Sequence, residues 1–107
     1  MTSLQDGKVR IALNGDFSAN ELDEILRDLA KVRSSLPDAV PADPPADLDP
    51  LEQPNPLHIF RTLANGGARI WLRHEGFGWM AFTLSAQQRA GIAEFLAKKI
   101  GHTHTAH

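Results

Sequence analysis

The chain has no cysteine, which removes disulfides and thiolate zinc sites from consideration and fits a reducing compartment. No stretch approaches the roughly 20 apolar residues of a membrane span. Residues 1–7 hold neither the basic cluster nor the apolar run of a signal peptide, so the expectation is a soluble, unprocessed, cytoplasmic protein. There is no internal repeat, no glycine-rich phosphate loop and no paired-carboxylate motif. Proline is missing from most of the chain as well: all seven prolines lie between Pro37 and Pro56.

That same stretch carries Asp38, Asp43, Asp47, Asp49 and Glu52 and no Lys or Arg. Setting these five acids aside leaves eight acids against eleven bases. The formal charge of -2 therefore divides into an acidic strap and a body of +3. A chain of 107 residues makes a single domain, with residues 37–56 as a flexible acidic Pro-rich loop inside it and residues 102–107 as a disordered, histidine-containing tail. Without the loop only about 80 residues remain to build a core, so stability is expected to be modest.

Residues 8–13 alternate, setting Val9, Ile11 and Leu13 on one side of a strand and Lys8, Arg10 and Ala12 on the other. Ser18 and Glu21 then form a capping box, with Phe17 and Leu22 at the staple positions. The spacing of Leu22, Ile25, Leu26, Leu29, Val32 and Leu36 predicts a helix that Pro37 closes. After the loop come three expected strands, over residues 57–64, 68–74 and 79–84. Asn65-Gly66-Gly67 is a strong hairpin signal between the first two, and residues 75–78 join the second pair. Ser85 and Gln88 make a second capping box for a helix carrying Ile92, Phe95, Leu96 and Ile100, ending near Lys98, Lys99 and Gly101. Within it Gly91 costs about 1 kcal/mol relative to Ala and is expected to mark a close packing contact.

The order β-α-(Pro-rich acidic loop)-β-β-β-α predicts an α+β fold, a two-layer domain with two helices on one face of a four-stranded, mainly antiparallel sheet. The core side then takes Val9, Ile11, Leu13, Ile70, Leu72, Met80, Phe82 and Leu84. The open face holds Lys8, Arg10, Arg69, Trp71, Arg73, Trp79 and Thr83, joined by His58 and Phe60 if Ile59 points inward. Reversing the register of the 57–64 strand would instead bury Phe60 and expose Ile59 and Arg61. No acid occurs on this face. Exposed aromatics with arginine are the composition of interface hot spots, so the candidate binding residues are Trp71, Trp79, Arg69, Arg73, Arg10, Lys8 and Phe60, with Phe77 in the turn beside them. The structural alternative is that arginine stems shield two cross-strand indoles from water.

The segment Glu75-Gly76-Phe77-Gly78-Trp79-Met80-Ala81-Phe82 resembles the octamer of RNA-recognition-motif domains. The resemblance implies that Phe77 and Trp79 stack bases. It covers eight residues, puts Glu75 where the family has a base, and lacks an aromatic partner motif on residues 8–13, so it is not adopted. His102, His104 and His107 lack a carboxylate or cysteine to complete a metal site. His58 and His74 sit on different expected strands with no spacing that brings them together. Ser18 and Ser85 are occupied as caps, so no hydroxyl nucleophile has a base beside it. The reading that remains is a non-enzymatic protein-binding module without cofactor or metal: an inhibitor, an immunity or antitoxin-type partner, or an adaptor subunit. A single-stranded nucleic-acid binder using the same face and a self-associating structural subunit, a homodimer, are the alternatives.

Because proline removes backbone donors and pre-proline residues avoid the helical region, amide exchange is expected to be fast from Asp38 to Asn55. Slow exchange across that stretch would reveal a folded element there.

Overall fold

A computed structural model describes residues 1–46 and 51–98. The sequence expectations on Asp47 and Asp49, on the helix end at residues 99–101 and on the tail of residues 102–107 lie outside the described residues. The chain divides into two compact units, Met1–Glu52 and Gln53–His107, and its element content is α+β.

The first unit opens with a hairpin of β1 (Thr2–Ser3) and β2 (Val9–Arg10), paired antiparallel with Thr2 opposite Arg10. Asp6-Gly7 supplies its turn. Gly7 takes φ +78°, the Asp6 carboxylate accepts from Lys8 N at 3.3 Å, and Leu4 N donates to Lys8 O at 2.8 Å. The strand expected over residues 8–13 is thus shorter than its alternation implies. It pairs with β1 and with no strand of the second unit, so the expected four-stranded sheet is not formed among the described residues. Beyond Arg10, Ile11 and Leu13 are exposed.

Helix α1 (Ala19–Ser35) begins at the predicted cap. Ser18 Oγ accepts from Glu21 N at 3.2 Å, and the Glu21 carboxylate accepts from Ser18 N at 2.8 Å. The bond from the Ser18 backbone, and then that from its hydroxyl, hold the Glu21 carboxyl below its ordinary value. At the other end Leu36 N donates to Arg33 O, the Arg33 guanidinium donates to Asp38 O at 2.6 Å, and Pro37 prevents continuation. Residues 38–46 contain no helix or strand.

The second unit is an antiparallel sheet of order β3-β4-β5 (His58–Thr62, Ala68–His74, Gly78–Leu84) followed by α2 (Ala86–Ala97). A two-residue Asn-Gly loop would set Ala64 opposite Gly67 and Phe60 opposite Trp71. The loop is instead one residue longer: Gly66 N donates to Leu63 O, and Leu63 N to Gly67 O, both at 3.0 Å. Gly66 alone takes positive φ, +87°, while Asn65 contributes its side-chain oxygen, which accepts from Gly67 N at 2.9 Å. The consequence is that Phe60 pairs with Ile70 and Ile59 with Trp71. Since side chains alternate with period two, this single residue exchanges the faces of all of β3.

Gly67 is buried, and a Cβ on it would collide with the Leu84 carbonyl of β5. At the far end the β4–β5 turn is closed by His74, whose Nδ1 accepts from Gly76 N at 2.9 Å and Phe77 N at 3.0 Å. Gly78 supplies the positive φ there, +77°. Helix α2 starts at the Ser85–Gln88 capping box as predicted and lies beside β5. The close contact expected at Gly91 is not found: a Cβ there would meet nothing within 4 Å.

These two glycines should therefore respond oppositely to alanine. Gly91→Ala is expected to stabilise the unit by about 0.5–1 kcal/mol through helix propensity, and Gly67→Ala to destabilise it by about 1–3 kcal/mol through overpacking against backbone. Urea unfolding of the two variants measures both. Equal and small effects would contradict the turn geometry.

Candidate functional site

Register sorts the sheet into two surfaces. On one side Arg69, Trp71 and Arg73 of β4 stand opposite Thr83, Ala81 and Trp79 of β5, with Arg61 and Ile59 of β3 completing the rows. On the other stand Ile70 and Leu72, opposite Phe82 and Met80 of β5 and Phe60 and His58 of β3. Of the predicted binding residues, Arg69, Trp71, Arg73 and Trp79 are brought together. Phe60 is not. It belongs with His58 to the surface that α2 borders, for the register reason given above, and Ile59 and Arg61 take their places.

Lys8 and Arg10 lie on or beside the N-terminal hairpin, whose pairing gives them no row in this sheet. The Lys8 ammonium sits 3.6 Å from the Asp6 carboxylate, a solvent-exposed contact of the kind that contributes little to stability. Phe77 turns against the ring of His74, with centroids 4.8 Å apart. His74 falls in the row of Ile70 and Leu72, so Phe77 and Trp79 do not form the stacking pair that the octamer resemblance implied.

The arginine–tryptophan surface has a definite electrostatic character. Arg61 and Arg69 are directly opposite one another, and their Cζ atoms lie 5.7 and 5.9 Å from the Trp71 ring centroid. Each guanidinium gains cation–π attraction from the indole, and Arg69 Nε also donates to Thr83 Oγ1 at 3.3 Å. Even so, like charges directly across a strand pair are unfavourable. No carboxylate pairs with Arg61, Arg69 or Arg73 among the described residues. Ile59, Arg61, Trp71 and Trp79 together line a shallow cleft of about 280 Å³.

The two strand histidines take part in local structure. His74, 7 % exposed, holds the β4–β5 turn, and its Nδ1 is occupied as an acceptor. His58 Nδ1 lies 3.1 Å from Pro56 O and its ring 4.9 Å from that of Phe60. Among the described residues there is no group of three or more His, Asp or Glu placed to hold a metal ion, and no helix long and apolar enough to cross a membrane. No known protein family, curated protein or solved structure matches this chain.

The sequence left the register of β3 open, with Ile59 and Arg61 exposed only in the reversed register, and that reversed register is the one formed. The signal that could have placed them was loop length, one residue beyond the Asn-Gly pair.

Trp79 is 49 % exposed at a cross-strand site opposite Arg73. Trp79→Thr is therefore expected to lower stability by no more than about 1 kcal/mol, measured by thermal or urea unfolding. A loss of several kcal/mol would make the indole part of the folding core.

Proposed function

We propose that this chain is a small, non-enzymatic, cytoplasmic protein-binding module. Its β4-centred surface takes an acidic segment of a partner protein, one that carries an aliphatic or aromatic anchor. The observation that carries this reading is the juxtaposition of Arg61 and Arg69 across the sheet, with Arg73 four residues further along β4 and no acid among them. A carboxylate-bearing segment relieves that repulsion and is attracted by all three guanidiniums, which bind carboxylates bidentately. The apolar anchor fits the cleft between Ile59, Trp71 and Trp79, giving the aromatic centre with charged rim that interface hot spots show.

Single-stranded nucleic acid offers the opposite charge too, and needs aromatic faces on which successive bases stack. Here two guanidiniums already lie near the ring of Trp71, and Phe77 turns to His74, leaving Trp79 as the one indole without a cation over it among the described residues. The net charge of -2 also gives the whole chain little general attraction for phosphate backbones. These points favour a protein partner.

The test is tryptophan fluorescence titration with two probes of equal charge: a Glu-rich peptide with leucine and phenylalanine anchors, and oligothymidine. The peptide is expected to change the indole emission saturably, and Arg61→Glu with Arg69→Glu to abolish the change. Saturation by oligothymidine with a steep salt dependence, and no response to the peptide, would replace the proposal with nucleic-acid binding.

A further inference from the structure

We infer that His74 determines the ligand class of the arginine–tryptophan surface, a step that rests on the protein-binding reading above and names what enforces it. By holding Phe77 on the other side of the sheet, His74 withholds a second open aromatic face from Trp79. Single-stranded nucleic acid, which needs successive faces on which to stack, is thereby disfavoured.

Alternation along β5 sets Trp79, Ala81 and Thr83 on the arginine side, opposite Arg73, Trp71 and Arg69. Continued one step back, the same alternation would bring Phe77 beside Trp79. The chain does not continue that way. Gly78 takes φ +77°, a conformation suited to glycine, and residues 75–77 form a turn. Phe77 lies against the ring of His74, with centroids 4.8 Å apart, and His74 stands in the row of Ile70 and Leu72. No ring contact joins Phe77 to Trp79 among the described residues.

Two side chains take up the three consecutive amides of this turn. Gln53 Oε1 accepts from Glu75 N at 2.9 Å, and His74 Nδ1 accepts from Gly76 N at 2.9 Å and Phe77 N at 3.0 Å. An Nδ1 that accepts carries no hydrogen, which places the hydrogen of the neutral ring on Nε2. His74 is the buried polar residue of the described chain, and its ring lies close under the turn, since a Cβ on Gly76 would come within 3.3 Å of His74 Cε1. Closing a turn does not by itself require an imidazole. In the β3–β4 loop Asn65 Oδ1 does so by accepting from Gly67 N. What His74 adds is a bond to the backbone of Phe77 itself and a flat ring for the phenyl group to lie on.

Phe77 is 48 % exposed, so a released ring has solvent through which to swing toward Trp79. Trp71 already has Arg61 and Arg69 near its ring, and Phe77 is therefore the aromatic side chain that could extend the stacking platform. One further base–aromatic stack is worth about tenfold in affinity. An acidic peptide gains nothing from that change, because the cleft for its anchor is lined by Ile59, Arg61, Trp71 and Trp79 and not by Phe77.

The experiment uses the full chain and fluorescence anisotropy of two labelled probes, oligothymidine and the Glu-rich peptide. His74→Leu, which removes the acceptor, is expected to raise affinity for oligothymidine about tenfold and to leave that for the peptide unchanged. Adding Phe77→Ala to His74→Leu should cancel the gain, a result that a merely structural histidine would not produce. Phe77→Ala alone should change neither titration, and NOEs in the unmutated protein should connect the rings of Phe77 and His74.

A folded His74→Leu protein without the gain would overturn the inference, as would a gain that survives Phe77→Ala. Because His74→Leu can also unfold the chain, two observations without it decide as well: weaker oligothymidine binding in Phe77→Ala, or NOEs between Phe77 and Trp79 in the unmutated protein, each overturns the role given to His74. An unmutated protein that binds oligothymidine and ignores the peptide ends the protein-binding reading instead, whereas one that binds the peptide but shows no Phe77-dependent gain ends only the role of His74.

Discussion

The second unit depends on the register of β4 against its two neighbours, and that register is held at both ends by backbone requirements rather than by a core. At one end Gly66 takes the left-handed conformation and Gly67 passes close under the Leu84 carbonyl, a position no other residue fills without displacing β5. At the other end a single imidazole nitrogen accepts two consecutive amides and closes the turn. Between these fixed points the alternation of side chains does the rest. It collects the arginines and tryptophans on one surface and the aliphatic and phenylalanine side chains on the other.

The two surfaces carry different kinds of unmet demand. On the first, cation–π contacts hold Arg61 and Arg69 near Trp71 without neutralising either charge, so the electrostatic imbalance points outward to an anionic ligand. On the second the deficit is hydrophobic. Within this unit helix α2 borders the sheet but does not close over β3, and each methylene buried on such a face contributes about 0.8 kcal/mol. A charged surface deficit is tolerable to a folded monomer, because water and salt screen it.

Much of the local structure was legible residue by residue. Both capping boxes, Ser18 with Glu21 and Ser85 with Gln88, begin their helices where the pattern places them, because a cap is a contact among neighbours in sequence. The strand over residues 68–74 and the one that follows are also where alternation puts them. Other features were hidden. Apolar residues at 57, 59, 60 and 63 fall on both parities, so composition could not orient β3, and loop length decided it. The Asp6-Gly7 hairpin was written in the chain too, but strands of two residues are too short for alternation to reveal.

By itself the sequence determined the elements, their caps and their turns, together with the segregation of negative charge into the stretch around the prolines, since all of these rest on interactions within a few residues. Tertiary structure alone decided which side of β3 joins the tryptophans, that β2 pairs with β1 rather than with the larger sheet, and that α2 leaves Phe60 uncovered. These outcomes depend on pairings between residues far apart in the chain. Their free energies differ through hydrogen-bond register and packing rather than through the preferences of any one residue, so a one-residue change of loop length redirects an entire strand.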